Sequence, residues 1–396
     1  MVSEKMLRLG TARSVIRELF EYGNQRARQV GRENVFDFSL GNPSVCPPDA
    51  VNEAAVALLR QQPELIHGYT SAPGDVTVRQ RFADSLNSRY GTAYTPGEFY
   101  VTVGAAAALC CVFGALTCED DEFVAIAPYF PEYRVFVEGA GAKFVEVPPD
   151  EPDFQIDFSA LEARINSHTK GVIINSPNNP TGVVYTPKTL ETLAQLLTKK
   201  AEAYGHPVYL ISDEPYREIV FGGARVSWVP AIYKDTIVCY SFSKSLSLPG
   251  ERIGYVLVPK SVTDSDAVYA AVAGAGRSLG YVNAPSLFQH VAARCCDMTA
   301  DLSVYERNCV LLCQALRAMG YHVVQPDGAF YLFVRSLEAD DLAFSERAKQ
   351  FDLLLVPGSG FGAPGYVRIA YCVKTEQIER ALPKFRELAQ SYESMM

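Results

Sequence analysis

The sequence lacks the features that would connect it to a membrane, to secretion or to a nucleic acid. Even its apolar segment GAAAALCCVFGAL is far shorter than the roughly 18 to 20 residues that a membrane-spanning helix requires. The N-terminus carries acidic residues among its apolar ones and has no small-residue cleavage site, so we expect no signal peptide and a cytoplasmic location. A net charge of −9 without a basic stripe argues against a nucleic-acid partner.

The spacing typical of a metal site is also missing. The ten cysteines form no Cys-x-x-Cys pair, and the five histidines are scattered along the chain. Cys110 with Cys111, and Cys309 with Cys313, occur in helical-looking runs of Ala, Leu and Val. Such cysteines are typical of small core residues in a reducing compartment. We therefore predict no metal and no disulfide framework.

What is present indicates an α/β protein. The 396 residues are 48% hydrophobic and 20% charged, which is enough for two domains. From about residue 98, short runs rich in Val, Ile, Phe and Tyr alternate with longer helix-like stretches, as in a mostly parallel sheet wrapped by helices. We predict seven strands in this sheet: FYVTV, FVAIA, KFVEV, GVIIN, VYLIS, TIVCYS and GYVLV.

The character of the chain changes after Pro285. A long helical region is followed by the short candidate strands HVVQP, AFYLFV, LLLVPG and YVRIAY and by a closing helix. The first fifty residues contain a helix that ends near Gly31 and the strand VFDFSL, without a sheet of their own. We predict a large domain of residues 50–285 and a smaller α+β domain made of residues 1–49 and 286–396.

Polar and aromatic residues follow five of the predicted strands. In an open α/β sheet, ligands bind where the carboxyl ends of the strands meet the loops, so these residues should face a single crevice. In chain order the strand ends are Gly104, APYFPEY, NSPNNPTG, Asp213–Tyr216 and Ser241–Lys244.

Lys244 and Arg252 supply two cations next to the predicted crevice. A lysine in such a place can lose its proton through burial and nearby cations, which makes it a nucleophile toward carbonyl groups. Arg252 offers a fixed fork suited to phosphate, and Ser241 and Ser243 add hydroxyl groups. A lysine with no other context is more often a solvated surface residue than a catalytic one, and this is the simpler interpretation of Lys244 on its own.

Asp213 comes at the end of a strand that should be buried. A buried ionised carboxylate needs a cationic partner, so Asp213 is a candidate ligand for a positively charged group. Asp is also favoured at the N-cap of a helix, which is the simpler interpretation of this residue on its own.

Three ordered motifs carry a family resemblance. NSPNNPTG (175–182), SDEPYREI (212–219) and SFSKSLSLPGERIGY (241–255) resemble the signatures of class I/II aminotransferases of the pyridoxal 5′-phosphate (PLP) fold type I. The resemblance extends from FSLGNPS near residue 41 to YVRIAY near residue 368. It implies a PLP enzyme that transfers an amino group from an amino acid to a 2-oxo acid.

The resemblance also implies roles around the cofactor ring. Lys244 would form the Schiff base with PLP and move the proton from the substrate's α-carbon. Asp213 would pair with the pyridine nitrogen, and Tyr216 and Asn179 would bond the 3-oxygen. Phe130 corresponds to an aromatic residue that stacks on the ring, although a core position is the alternative.

The phosphate would lie at the helix that begins around Gly104, Ala105 and Ala106, where free N–H groups favour an anion. The family often has a hydroxyl or lysine side chain in this loop. This loop has neither a hydroxyl nor a lysine side chain here, so we predict that phosphate binding depends more on Ser241, Ser243 and Arg252. Glu251 is unexpected beside Arg252, because an acid would oppose the anion unless it points away.

Two further residues are assigned by resemblance. Tyr69 corresponds to a tyrosine that reaches the phosphate of the neighbouring subunit, which implies a homodimer. Arg368 corresponds to the arginine that binds the substrate's α-carboxylate, with Asn179 and the backbone of Gly41 beside it. A core position for Tyr69 and an internal carboxylate partner for Arg368 are the alternatives.

The motifs leave the reaction and the substrate partly open. The same scaffold carries out carbon–sulfur β-elimination, and a noncatalytic PLP-binding regulatory protein is a more remote alternative. A dicarboxylate such as aspartate would need a second cation, and Arg277 lies close to where dicarboxylate-specific relatives have one. Aspartate is therefore the first candidate donor, followed by aromatic and other neutral amino acids.

Overall fold

The computed structural model describes residues 2–11 and 15–393. The strands are β1 (Phe36–Asp37), β2 (Phe99–Thr102), β3 (Glu122–Ile126), β4 (Lys143–Val147), β5 (Thr169–Asn175), β6 (Tyr209–Asp213), β7 (Thr236–Ser241), β8 (Gly254–Leu257), β9 (Tyr331–Arg335), β10 (Leu353–Leu354), β11 (Val356–Pro357) and β12 (Tyr366–Ala370).

The helices are α1 (Glu4–Thr11), α2 (Val15–Val30), α3 (Asp49–Gln61), α4 (Pro63–His67), α5 (Val76–Tyr90), α6 (Ala105–Leu116), α7 (Glu132–Ala140), α8 (Phe158–Arg164), α9 (Pro187–Tyr204), α10 (Phe242–Ser245), α11 (Ser265–Ser278), α12 (Ser286–Cys295), α13 (Ser303–Ala318), α14 (Asp341–Lys349) and α15 (Thr375–Glu393). Short 3-10 helices cover Arg32–Asn34, Pro96–Glu98, Val229–Ala231 and Gly358–Phe361.

The central sheet has seven strands in the order β2-β8-β7-β6-β5-β3-β4, which confirms the predicted α/β fold. Only β8 runs antiparallel to its neighbours in this sheet. Side chains alternate between two apolar layers because successive residues of a strand point to opposite faces. Ile173 of β5 packs in the layer that contains Val112 of α6, whereas Val172 and Ile174 pack in the layer that contains Leu193 of α9.

Two smaller sheets bring the N-terminal segment and the C-terminal part together. β11, β12 and β9 form an antiparallel sheet, and β1 pairs in parallel with β10. The candidate strand HVVQP was predicted wrongly as a full strand, since it forms only an isolated bridge between Val323 and Val334. Pro326, which ends this run, has no N–H group with which to continue a ladder.

Helix α12 packs away from the small sheets. Its residues Val291 and Ala292 share an apolar cluster with Leu58 of α3, Phe82 of α5 and Phe99 of β2. The domain limits at residues 49 and 285 stay predictions. Within the described ranges, no helix combines the length and the apolar character needed to cross a membrane.

Candidate active site

A cavity of about 300 Å³ lies at the carboxyl ends of the central strands, where the sequence predicts the crevice. The C-terminal part of the chain closes it with Tyr331 and Arg368. The lining consists of Ile16, Leu40, Gly41, Ala105, Ala106, Leu109, Phe130, Asn175, Asn179, Asp213, Pro215, Tyr216, Ser241, Ser243, Lys244, Pro249, Arg252, Tyr331 and Arg368.

Lys244 presents its amine inside this cavity. It lies on the one-turn helix α10 directly after β7, and its Nζ donates to the carbonyl oxygen of Gly41 at 2.5 Å. Burial, together with the weaker effect of the positive charges of Arg252 and Arg368, lowers the pKa of Lys244 to about 8, against an opposing effect of the Cys372 thiol. A substantial fraction of the amine is therefore neutral near pH 7 to 8, as a nucleophile requires.

Asp213 ends β6 and is 5% exposed. Its Oδ2 accepts a hydrogen bond from the Tyr133 hydroxyl at 2.5 Å, whereas Oδ1 has no partner among the described residues. Burial raises the pKa of Asp213 to about 7, although the Tyr133 bond acts in the opposite direction. A cation placed against Oδ1 would keep the carboxylate ionised.

Another part of the cavity is suited to an anion. Gly104 precedes α6 with φ 88° and ψ 176°, a conformation that is essentially restricted to glycine. A β-carbon built on Gly104 would lie 2.5 Å from Nη2 of Arg252. Arg252 Nη1 donates to Ser243 Oγ at 3.1 Å, and Ser243 Oγ is 2.7 Å from Ser241 Oγ. The N-terminus of α6, the Arg252 guanidinium and the two serine hydroxyl groups are the kinds of group that bind phosphate in proteins.

Arg368 on β12 provides a second cationic site and is only 2% exposed. Its Nη1 donates to Asn179 Oδ1 at 2.9 Å and its Nη2 to the carbonyl oxygen of Ser39, while Nε has no partner within the described part of the chain. These acceptors are neutral oxygens rather than carboxylates. Burial lowers the pKa of Arg368, because the charged guanidinium has lost its hydration. A carboxylate bound to it would compensate for that loss.

Sequence reasoning missed two tyrosines of this site. Tyr133 holds Asp213, and Tyr331 places its hydroxyl 2.9 Å from that of Tyr216. Tyr133 comes three residues after Phe130 in the motif APYFPEY. Its place in a motif already predicted to border the crevice was the one indication that the sequence offered. Tyr331 lies within the candidate strand AFYLFV and carried no signal of its own.

Asn175 is a third residue that the sequence did not single out. Its Nδ2 donates to the Asp213 carbonyl oxygen at 2.8 Å, and its Oδ1 accepts from the Asn179 amide at 2.7 Å. It thereby links the end of β5 to both predicted residues.

Not every predicted residue reaches the cavity in a single chain. Phe130 lines it and packs edge-on against Tyr133, with ring centroids 5.7 Å apart. Tyr69 is 96% exposed and lies outside the lining. Arg277 is exposed in the last turn of α11, and Glu251 is also absent from the lining.

Comparison with known proteins agrees with this geometry. A family model for aminotransferase class I and II matches residues 33–385. The chain belongs to this family. A crystal structure of an aminotransferase from Eubacterium rectale matches with a TM-score of 0.97 and 55% identity, covering 99% of both chains.

The names of several relatives of this aminotransferase refer to aspartate, to prephenate or to aromatic amino acids. The aspartate/prephenate aminotransferase of Thermus thermophilus is 31% identical over 91% of this chain and 93% of its own length. The aromatic-amino-acid aminotransferase 2 of Thermococcus litoralis is 29% identical over 95% of each. A structure of the Thermus thermophilus aspartate aminotransferase with maleate has a TM-score of 0.86 and 28% identity over 98% of this chain and 99% of the other. The resemblance to an aminotransferase is thus confirmed.

Proposed function

We propose that this aminotransferase uses PLP held by Lys244 to transfer an amino group from an amino acid, with aspartate as the first candidate, to a 2-oxo acid. One observation carries the proposal. A single cavity contains a half-buried amine, a buried carboxylate and a buried guanidinium, and the carboxylate Oδ1 and the guanidinium Nε have no partner among the described residues.

The residues present fit PLP. The phosphate would be held by the N-terminus of α6, Arg252 and the Ser243 hydroxyl, and the pyridine nitrogen by Asp213 Oδ1. Tyr216 and Asn179 would bond the ring's 3-oxygen, and Phe130 would cover a ring face. When bound, PLP supplies an aldehyde that condenses with amines and a ring that withdraws electrons from the substrate's α-carbon.

The chain's own residues would orient the substrate and move its proton. Arg368 would bind the α-carboxylate through Nε, with Asn179 fixing the guanidinium from the other side. Because the pKa of Lys244 is about 8, its amine can accept and return a proton near neutral pH. We propose that Lys244 holds the proton removed from the α-carbon.

The choice of amino donor rests on different support. Aspartate is suggested by the names of the Thermus relatives. The cations of the cavity lining are Lys244, Arg252 and Arg368, and each already has a proposed partner. The side-chain carboxylate of aspartate would therefore need another cation, for which Arg277 is the candidate. Aromatic donors are the second candidate, because Ile16, Leu40, Leu109 and Phe130 make part of the lining apolar.

The test is a scan of amino donors against the PLP-loaded protein. We expect the cofactor absorbance to change on addition of a donor and to return on addition of a 2-oxo acid, with aspartate ranking above tyrosine. The variant Lys244→Ala should lose both changes. Steady release of pyruvate from cystathionine without an acceptor would favour β-elimination instead, and no spectral response to any amino acid would contradict the proposal.

We also propose a homodimer in which Tyr69 of each subunit serves the partner's phosphate site. The support is the exposure of Tyr69, at 96%, together with exposed Leu65 and Val76 nearby in the sequence. An exposed tyrosine in a segment with further exposed apolar side chains is typical of an interaction surface.

A further inference from the structure

We propose that Tyr331 is a positioning residue that couples the substrate-carboxylate site to the site of the cofactor's 3-oxygen. The inference rests on the proposed function, because both sites are defined by it. Tyr331 lies on β9, in the small antiparallel sheet next to β12, whereas Tyr216 follows β6 of the central sheet.

Tyr331 contacts residues on both sides of the cavity. Its hydroxyl is 2.9 Å from that of Tyr216, and its ring lies under Arg368, with 4.6 Å between the guanidinium carbon and the ring centroid. The side chain is 2% exposed and lines the cavity. A guanidinium on an aromatic face is held in orientation by the ring's electron density.

Gly41 fixes the hydroxyl of Tyr331 from a third side. A β-carbon at Gly41 would overlap this hydroxyl, so the glycine provides the space that the tyrosine occupies. The carbonyl oxygen of Gly41 also accepts the hydrogen bond from Lys244. Tyr331 therefore packs against the backbone that holds the lysine.

The direction of the hydrogen bond follows from proton counting. A phenol has one proton to donate. If Tyr216 donates its proton to the 3-oxygen, it can only accept from Tyr331. A tyrosine that accepts such a bond becomes a stronger donor, because hydrogen bonds in a chain polarise one another. Tyr331 would thus strengthen the bond from Tyr216 to the cofactor.

This coupling predicts a spectroscopic effect. A donor on the 3-oxygen stabilises its negative charge, which lowers the pH at which the Lys244-linked cofactor loses its proton. Removing the Tyr331 hydroxyl should weaken that donor and raise the pH midpoint. The loss of one neutral hydrogen bond corresponds to a shift of about half a pH unit.

The experiment compares PLP-loaded Tyr331→Phe with wild type and with Tyr366→Phe. Tyr366 is also buried on the small sheet, but its hydroxyl bonds Glu151 at 2.8 Å outside the cavity. We expect the absorbance midpoint to rise by about half a unit in Tyr331→Phe and not in the control. The Michaelis constant for the donor should change less than about twofold, since the ring under Arg368 remains.

A second variant separates the ring from the hydroxyl. Tyr331→Leu should raise both the midpoint and the Michaelis constant, because it also removes the support under Arg368. Equal midpoints in Tyr331→Phe and Tyr366→Phe would overturn the inference while leaving the proposed function intact. A cofactor absorbance that responds to no amino acid in the wild-type protein would instead contradict the proposed function.

Discussion

Asp213 is a buried acid whose hydrogen bonding is incomplete in the cofactor-free protein. Its carboxylate is buried, Oδ1 has no partner among the described residues, and burial raises its pKa to about 7. The folded-state pKa thus lies above the ordinary value near 3.9. The raised pKa means that protonated Asp213 favours the folded state, and this contribution to the free energy of unfolding is fully present below the ordinary pKa. The contribution is lost as the pH rises through about 7.

Asp213→Asn should therefore stabilise the cofactor-free protein at high pH. The quantity to compare is the free energy of unfolding of the variant minus that of wild type. We expect this difference to be about 1 to 3 kcal/mol larger at pH 8 than at pH 5, because the amide cannot ionise. Urea unfolding of both cofactor-free proteins at the two pH values measures this difference. Equal gains at both values would show that Asp213 does not titrate in this range, and an unchanged affinity for PLP would remove its proposed role.

Gly104 shows how one element depends on one backbone position. The start of α6 requires its positive φ, and the missing side chain leaves room for the Arg252 guanidinium. Gly104→Ala should weaken PLP binding by at least about tenfold, because it displaces Arg252 in addition to straining the turn. Equilibrium dialysis of PLP against the purified protein gives the affinity.

Gly91→Ala is the matched control for this effect. Gly91 follows α5 with φ 67°, and a β-carbon there would meet nothing within 4 Å. Both variants should lose about 1 to 2 kcal/mol of stability through backbone strain. If both also lost PLP affinity, strain rather than the position of Arg252 would explain the result.

A buried ionic network supports the segment that carries Asp213. Arg217 bonds Glu214 Oε2 and Glu218 Oε1, each at 3.1 Å, and its guanidinium carbon lies 4.2 Å from the ring centroid of Tyr240. Arg217→Ala would leave two buried carboxylates without this partner. We expect a loss of about 3 to 5 kcal/mol in the free energy of unfolding.

The partly exposed end of the same network supplies the comparison. Arg89 bonds Glu218 Oε1 at 2.8 Å, but its side chain is 41% exposed. Arg89→Ala should cost no more than about 1 kcal/mol. Denaturant unfolding of both variants tests the contrast. Similar losses would mean that burial does not govern this network.

The sequence allowed all seven central strands to be predicted, because each contains a short apolar run and most are buried on both faces of a mostly parallel sheet, although the edge strand β4 is only partly buried. The chemistry at their ends could also be predicted, since strand ends converge at one edge. The contacts of Tyr133 and Tyr331 could not. Tyr133 lies 80 residues from Asp213, and Tyr331 lies 115 residues from Tyr216. Such contacts depend on how distant segments pack, which no local pattern records.

At the scale of the whole molecule, the cavity depends on three distant parts of the chain. The carboxyl ends of the central strands supply Asp213 and Lys244, while Gly41 comes from the N-terminal segment and Arg368 from β12. The pairing of β1 with β10 holds the N-terminal segment beside the C-terminal part. We propose that the N-terminal segment and the C-terminal part form one small domain, as the sequence predicts.

The subunit arrangement can be tested by mixing two defective variants. Lys244→Ala has no competent site of its own but retains Tyr69, and Tyr69→Ala retains Lys244 but should bind PLP weakly. In a mixed dimer, one site would combine Lys244 of one subunit with Tyr69 of the other. Random reassociation gives half mixed dimers with one restored site each, so we expect activity to recover to about one quarter of wild type.

The measurement is the transamination rate before and after the two variants are unfolded and refolded together. Refolding each variant alone is the control and should restore nothing beyond its own activity. Light scattering should give the mass of a dimer for every sample. A stable, active, PLP-loaded monomer would contradict the dimer, whereas dimers that mix without recovery would leave the assembly intact and remove Tyr69 from the partner's site.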